Sequence, residues 1–163
     1  PAPTPLRPMP QVVLLAPEIP PNTGNVARTC AATCTALHLI DPLGFEINDR
    51  QLKRAGLDYW PHVQLHRHGD WSAFQAFRRP QGGRLVGLSR HASVSYLDHM
   101  FQPDDWLLFG SESSGLPGHA LGECDTVLSV PLSCAAVRSL NLSNAVAVVL
   151  FEALRKIQKP VQD

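Results

Sequence analysis

Short apolar runs without polar alternation recur along the chain, each followed by a loop and a segment of helical spacing. The first run, residues 11–16, reads QVVLLA and is closed by Pro17. Such a run is typical of a strand covered on both faces, as in a parallel sheet. Beyond the loop, Asn22 and Thr23 offer a helix cap, with Val26 and Cys30 following near helical spacing.

The same alternation continues towards the C-terminus. Further strands are predicted at residues 37–41, 62–67, 84–89, 106–110 and 127–132, and helices at 49–57, 70–77 and from Ser139 or Asn141 to about 156. Strands that alternate with helices predict an α/β domain with a mostly parallel sheet flanked by helices. We expect a Pro-rich disordered tail over residues 1–10, one domain over residues 11–157 and a C-terminal tail over residues 158–163.

Charge and cysteine content argue against several classes of protein. Fourteen basic and fourteen acidic residues give a net charge of zero, unlike a non-specific nucleic-acid coat protein. The four cysteines form no CxxC pair, so a reducing compartment, the cytoplasm, is expected. No apolar run approaches the roughly 20 residues of a membrane span.

His62, His66 and His68 lack a carboxylate or cysteine at metal-site spacing, so structural or solvated histidines are expected rather than a metal site.

The loop after the first strand carries polar groups where parallel α/β folds bind ligands. Asn22 and Asn25 offer amides, and Gly24 permits an unusual backbone angle. Arg28 follows one turn into the predicted helix, from where it can reach back over the loop. The N–H groups at this helix start would suit an anion such as phosphate. A capped helix with a solvated arginine fits the spacing equally well.

A second loop, residues 107–117, combines small residues with one carboxylate. Gly110 and Gly115 lie five residues apart and would allow the backbone to approach a flat ligand, with Glu112 beside it. The loop is neither a P-loop nor a dinucleotide fingerprint. A plain strand-to-helix loop with a surface glutamate is the alternative.

A third loop, residues 130–144, places serines and asparagines at the entrance of an otherwise apolar helix. One helix cap requires only one such residue, so the excess of polar side chains favours a functional site.

Together the three loops resemble those of the SPOUT superfamily of RNA methyltransferases, in its SpoU-like branch. The matching pieces are residues 22–28 (NTGNVAR), 109–112 (FGSE) with 115–117 (GLP), and 130–132 (VPL) with 138–147 (RSLNLSNAVA). The resemblance covers roughly residues 11–157. Residues 17–21 (PEIPP) and 54–59 (RAGLDY) are similar to the small tRNA (cytidine/uridine-2'-O-)-methyltransferases that act on the wobble nucleotide of leucine tRNAs.

This resemblance implies a fold, a cofactor and a set of site residues. The implied fold is an α/β knot, in which the chain from the second loop onward threads a deep C-terminal trefoil. The implied enzyme is a homodimer that completes each site near the subunit interface, binds S-adenosylmethionine in a bent shape and needs no metal. The implied cofactor-binding residues are Leu88, Gly110, Val130 and Ser139. The implied catalytic residues are Asn22, Arg28, Glu112, Ser139 and Asn141.

The implied reaction moves a methyl group to the ribose 2'-hydroxyl of the wobble cytidine or uridine of a leucine tRNA. Because a guanidinium keeps its proton in proteins, we expect Arg28 to hold an RNA phosphate and polarise the hydroxyl rather than act as a base. A focused basic patch for the anticodon stem-loop is expected at Lys53, Arg54, Arg90 and Arg138.

Three alternatives remain for the function. The first is another tRNA ribose or a ribosomal RNA as the target of the same chemistry. The second is a non-catalytic knotted RNA-binding protein, which the presence of Arg28, Glu112, Ser139 and Asn141 disfavours. The third, a Rossmann-type methyltransferase, is discounted because the glycine-rich turn after the first strand is missing.

Overall fold

Seven parallel strands form one sheet in the computed structural model, which describes residues 8–158 apart from the side chains of residues 56–58. The strands are β1 (Gln11–Leu15), β2 (Leu37–Ile40), β3 (Leu65–His68), β4 (Leu85–Leu88), β5 (Val94–Ser95), β6 (Trp106–Phe109) and β7 (Thr126–Ser129). Their order in the sheet is β3-β2-β1-β6-β4-β7-β5. Every pairing is parallel, so the predicted α/β class with a parallel sheet is confirmed.

Within the described residues, five α-helices flank the sheet. They are α1 (Pro20–Ala32), α2 (Arg50–Gly56), α3 (Trp71–Arg78), α4 (Gly118–Glu123) and α5 (Leu142–Gln158). Short 3₁₀ helices occupy Leu57–His62, Arg79–Gln81 and Tyr96–Asp98. The sequence prediction missed β5 and α4 because two and six residues are too few to show a period. It also placed β3 too early, since the 3₁₀ helix extends to His62.

The packed chain is slightly longer than the predicted domain. Met9 packs against the core and Pro10 is buried, so ordered packing begins before residue 11. Helix α5 ends at Gln158, which the prediction had assigned to the C-terminal tail. The rest of the two predicted tails, residues 1–7 and 159–163, lies outside the described residues.

Apolar side chains cover both faces of the central strands. Val12 and Leu14 of β1 pack with residues of α1 and α5, including Val26 and Val149. Val13 and Leu15 face the opposite side, in a cluster with residues of α3 and α4. The first apolar run lacks polar alternation because neither face of β1 meets solvent.

The direction in which the chain adds strands to the sheet reverses between β1 and β6. After β1 the chain turns towards β2 and β3, whereas after β6 it turns to the other side, towards β7. The carboxyl ends of β1 and β6 therefore flank a topological switch point, where open α/β sheets bind ligands. Strands β4 to β7 take the order β6-β4-β7-β5, so the chain crosses β4 repeatedly. The trefoil knot itself stays a prediction.

Two of the histidines stabilise the sheet rather than a site. His38 of β2 is fully buried, and its Nε2–H donates to Gln11 Oε1 at 2.7 Å. Its Nδ1 therefore accepts from Nε2–H of His68, at 3.0 Å. Burial, with the neighbouring His66 and His68, lowers the pKa of His38 to about 3, so the ring is neutral in the folded protein.

Candidate active site

The loops that follow three neighbouring parallel strands, β4, β6 and β7, lie at the same edge of the sheet. Leu88 is the last residue of β4, Gly110 directly follows β6 and Val130 directly follows β7. Because β6, β4 and β7 are adjacent and parallel, three of the four residues expected to bind the cofactor lie at one edge. The fourth, Ser139, lies in residues 133–141, an exposed segment that leads into α5.

The loop after β6 folds back on itself as a tight hairpin. Ser111 and Gly115 form an antiparallel bridge, in which the N–H of Gly115 donates to the Ser111 carbonyl at 2.9 Å. A Cβ atom on Gly110 would overlap the backbone of Gly115 and Leu116. The space that the missing side chain of Gly110 leaves is therefore filled by its own loop, and a contact of Gly110 with the cofactor stays a prediction.

The carboxylate of Glu112 caps α1 from a distant part of the chain. Its Oε2 accepts the backbone N–H of Glu18 at 2.7 Å, and its Oε1 accepts that of Ile19 at 3.2 Å. Oε1 also accepts from Nδ2 of Asn22, at 3.4 Å. A negative charge at the start of a helix is favoured by the helix dipole. Glu112 thus joins the loop after β6 to the first turn of α1.

The hydrogen bonds continue from α1 to the start of α5. Asn22 is buried, and its Oδ1 accepts from Nδ2 of Asn141 at 3.0 Å. Asn141 Oδ1 in turn accepts the backbone N–H of Ser143 at 2.9 Å and its hydroxyl at 2.6 Å. The carboxylate can only accept and the Ser143 N–H can only donate, so both amide orientations are fixed. We call Glu112, Asn22, Asn141 and Ser143 the three-loop network.

The start of α1 differs from its prediction. The helix begins at Pro20, before the expected cap at Asn22, and Pro20 and Pro21 have no N–H to donate. The N–H groups of Asn22 and Thr23 are both directed to the carbonyl of Ile19, at 3.1 and 3.4 Å. The prediction of a phosphate site at this helix start is therefore wrong, because its donors are missing or already bonded.

Arg28 does not reach back over the loop, contrary to the prediction. It lies in the third turn of α1 and is exposed, with its guanidinium carbon 5.0 Å from the centroid of the Tyr59 ring. That distance is typical of a cation–π contact. Asn22 and Arg28 are six residues apart, so they point about 120° apart around the helix. Within one chain, Arg28 is thus directed away from the three-loop network.

The four cations expected to bind RNA are all exposed. Lys53 and Arg54 lie on α2, Arg90 follows β4 and Arg138 precedes α5. None of the four forms an ion pair with a residue in the described part of the chain. Their charges are thus available to an external partner such as phosphate.

Sequence reasoning did not assign three residues that contact the predicted site. Ser143 completes the three-loop network, Glu18 donates to Glu112, and Tyr59 lies under Arg28. The Asn-x-Ser spacing from 141 to 143 signals an Asx turn and could have revealed Ser143. The contacts of Glu18 and Tyr59 join positions 94 and 31 residues apart, which no local pattern reveals.

Two further findings concern the described residues as a set. No helix among them is long and apolar enough to cross a bilayer. Within residues 8–158, no cluster of three His, Cys, Asp or Glu side chains could hold a metal ion.

Known proteins resemble this chain over nearly its whole length. The model of the SpoU rRNA Methylase family matches residues 9–151. A putative tRNA (cytidine(34)-2'-O)-methyltransferase of Synechocystis sp. is 51% identical over 150 residues, which cover 92% of this chain and 98% of the relative.

Solved structures share the fold as well. A structure concerned with 2'-OH methylation of C/U34 on tRNA is 48% identical, with a TM-score of 0.86 over 91% of this chain and 95% of the other. The SpoU methyltransferase AviRb of Streptomyces viridochromogenes, solved in complex with the cofactor AdoMet, is 26% identical. Its TM-score is 0.84, over 92% of this chain and 61% of AviRb. The family match and the geometry of the three loops agree with the predicted resemblance, and the chain belongs to the SpoU rRNA Methylase family.

Proposed function

We propose that the protein transfers a methyl group from S-adenosylmethionine to the ribose 2'-hydroxyl of the wobble cytidine or uridine of a tRNA, in particular a leucine tRNA. The observation that carries the proposal is the three-loop network, which joins the loops after β1 and β6 and the start of α5 at the switch point of the sheet. The names of the Synechocystis relative and of the solved C/U34 structure favour nucleotide 34.

The residues at the predicted cofactor edge fit S-adenosylmethionine. Leu88 and Val130 are half-buried apolar side chains that can pack against an adenine ring, and Leu140 adds a further apolar surface. Ser139, in the exposed segment before α5, has a hydroxyl that can bind a polar group of the cofactor. When bound, the cofactor supplies a methyl group already activated by a sulfonium, so the protein has to position the reactants and help the hydroxyl lose its proton.

We assign Asn22, Glu112 and Asn141 to positioning rather than to proton transfer. Each side-chain oxygen and nitrogen of Asn22, Asn141 and Glu112 forms a hydrogen bond with another group of the protein. These bonds hold the segment that carries Ser139 against the loop after β6. Ser139 and Arg28 are the exposed members of the predicted catalytic set that lie outside the network, so they remain to meet the substrate.

Arg28 fits best as a contribution from a second subunit. Its guanidinium lies on the Tyr59 ring, on a different side of α1 from Asn22. A homodimer in which the α1 of one chain faces the site of its partner would place Arg28 beside the ribose. There its guanidinium can bind an RNA phosphate and polarise the ribose 2'-hydroxyl, while the proton leaves the hydroxyl oxygen late in the transfer.

An exposed apolar face on α5 supports such a dimer. Val148 and Phe151 are 38% and 55% exposed, although they lie within a helix whose other face is buried. Ile19, at the start of α1, is 45% exposed. Grouped apolar side chains of this kind are typical of protein interfaces. A second copy of the chain is the occupant that the composite site requires.

The chain has no net charge, but exposed cations that form no ion pair with a described residue support RNA as its substrate. Lys53, Arg54, Arg90 and Arg138 form a limited set that can bind phosphates without a basic coat over the whole surface. A tRNA substrate and four free cysteines are in keeping with a cytoplasmic enzyme.

The decisive experiment is incubation of the protein with labelled S-adenosylmethionine and unmodified leucine tRNA, followed by nuclease mapping. The expected product is a 2'-O-methylated nucleotide 34. Methylation at another tRNA ribose, or of ribosomal RNA alone, would replace the wobble assignment. Binding of tRNA without any transfer would favour a non-catalytic RNA-binding protein.

A further inference from the structure

A cleft opens at the switch point, on the face of the sheet that α3 and α4 cover. It has a volume of about 620 Å³ and is formed by the carboxyl ends of β1 and β2, the start of α3, and the loop and helix after β6. Its lining includes Leu15, Ala16, Pro42, Trp71, Pro117 and His119. A concave, mostly apolar space of this size is typical of a small-molecule or nucleotide site.

None of the residues expected to bind the cofactor lines this cleft. Leu88, Gly110, Val130 and Ser139 belong to the ends of β4, β6 and β7, whereas the cleft is centred on the ends of β1 and β2. A ligand in this cleft would therefore be a molecule other than the cofactor. Ala16, one of its lining residues, has a φ of +52°. L-residues adopt this conformation rarely, and it often marks functional sites.

The aromatic wall of the cleft is held in a fixed orientation. The indole N–H of Trp71 donates to the carboxylate of Glu123. The rings of Trp71 and His119 meet edge to face, with centroids 5.8 Å apart. Asp70 caps α3 by accepting the Ala73 N–H at 2.7 Å, so the residue before Trp71 is also fixed. A fixed aromatic side chain beside apolar walls suits a flat ring that can stack on it.

The charges at the cleft disfavour phosphate. Glu18 and Asp41 contribute carboxylates, and no lysine or arginine is among its lining residues in the described chain. Asp41 is bound by Arg67, at 2.9 Å, and Glu18 accepts from the hydroxyl of Ser113 at 2.5 Å. Carboxylates accept hydrogen bonds from exocyclic amino groups such as N4 of cytosine. The lining is thus complementary to an uncharged base with N–H donors.

Glu18 connects the cleft to the predicted site. Its side chain lines the cleft, while its backbone N–H donates to Glu112 of the three-loop network. A nucleotide held with its base on the cleft side would therefore have its ribose near Glu112. Single-stranded RNA loops are commonly recognised in this way, with a base turned out of its stack onto an aromatic side chain.

We infer that this cleft binds the base of the nucleotide that is methylated, stacked on Trp71 and within reach of the carboxylates of Glu18 and Asp41. This inference rests on the proposed RNA substrate and adds the element that selects and orients the target nucleotide. Trp71 and His119 are then binding residues for the base, and the methyl transfer takes place beside the three-loop network.

A nucleoside titration tests the cleft without any need for turnover. Cytidine is added to the wild-type protein, up to about 10 mM, and the indole N–H signals are followed by NMR, with Trp71 assigned from Trp71→Phe. The Trp71 signal should shift, whereas that of Trp106, which is bonded to the Gly82 carbonyl in the core, should not. An unmoved Trp71 signal, or much tighter binding of cytidine monophosphate than of cytidine, would overturn the assignment.

Steady-state kinetics test the same inference during turnover. Trp71→Leu should raise KM for tRNA about tenfold, with unchanged affinity for S-adenosylmethionine, because a base–aromatic stack is lost. Phe77→Leu, on the same helix but outside the cleft, is the matched control and should leave KM unchanged. His119→Ala, at an exposed position, serves as a second variant if Trp71→Leu fails to fold.

The two proposals fail in different ways. If the wild-type protein methylates tRNA but Trp71→Leu and His119→Ala keep the wild-type KM, the cleft inference is wrong and the proposed function stands. If the wild-type protein transfers no methyl group to any RNA, the proposed function is wrong, and the titration still reports whether the cleft binds a base.

Discussion

The three-loop network and the exposed residues of the same motifs, Arg28, Arg138 and Ser139, are held in opposite ways. In the network, Glu112, Asn22 and Asn141 are bonded to one another, and each amide orientation is determined by its neighbours. Arg28, by contrast, contacts the ring of Tyr59, and Arg138 and Ser139 lie in an exposed segment. Both groups come from the same short motifs, yet only the first is complete within one chain.

This difference supports the proposed assignment of the network to positioning and of Arg28 and Ser139 to contact with the substrate. A fully bonded polar network holds its elements in place but offers few free atoms to a substrate. Exposed side chains without partners contribute little to the fold and remain free to bind a phosphate or a second subunit. Substitutions in the two groups should therefore have different signatures: loss of stability together with activity in the first, and loss of activity alone in the second.

The largest effect is expected for Arg28→Ala. Removal of the guanidinium should lower kcat by about a thousandfold, since groups that stabilise a developing charge contribute on that scale. The affinity for S-adenosylmethionine and the melting temperature should stay at wild-type values, because Arg28 is exposed and outside the network. Single-turnover assays measure the rate of methyl transfer, and calorimetry measures the cofactor affinity and the melting temperature. The matched control is Arg79→Ala, an exposed arginine paired with Glu123.

Glu112→Ala should reduce both activity and stability. It leaves the N–H groups of Glu18 and Ile19 and the amide of Asn22 without their acceptor, so the free energy of unfolding should fall by about 2 kcal/mol. Thermal and urea unfolding provide the measurement. Glu112→Gln keeps one acceptor oxygen, so its free energy of unfolding should lie between those of Glu112→Ala and the wild type. Wild-type stability in Glu112→Ala would break the proposed division between the two groups.

Charge reversal on α2 should weaken RNA binding by about tenfold. Lys53→Glu and Arg54→Glu each remove a phosphate contact and should reduce the dependence of log K on log salt by close to one unit. Filter binding at several salt concentrations gives both quantities. Stability should not change, because both side chains are exposed and without ion pairs to described residues. An unaltered affinity would place the RNA elsewhere.

The smallest effect concerns the contact under Arg28. Tyr59→Ala removes the ring on which the guanidinium rests and should lower kcat a few-fold, in line with an exposed cation–π contact of about 0.5–1 kcal/mol. Tyr59→Phe keeps the ring and should restore kcat. Equal turnover in both variants would mean that Arg28 is positioned by other contacts.

The sequence allowed the parallel sheet, most of its elements and the three loops to be predicted, because each depends on local spacing. The run at residues 11–16 predicted β1, and the polar residues at 139–144 predicted the entrance to α5. The direction of Arg28 and the role of Gly110 could not be predicted. Both depend on contacts made in three dimensions, the first with a 3₁₀ helix beyond α2 and the second within a hairpin. Pro20 and Pro21 were interpreted as a loop, although prolines are well tolerated in the first turn of a helix.

Mixing two inactive variants tests most directly whether each site combines Arg28 of one chain with the three-loop network of another. Arg28→Ala and Glu112→Ala are co-expressed with different tags, and the mixed dimer is purified on both tags and assayed with tRNA. In a two-fold dimer with shared sites, one of the two sites regains both wild-type groups, so about half of the wild-type activity should return. A mixed dimer as inactive as its parents would show that Arg28 and Glu112 act within the same chain and would contradict the composite site.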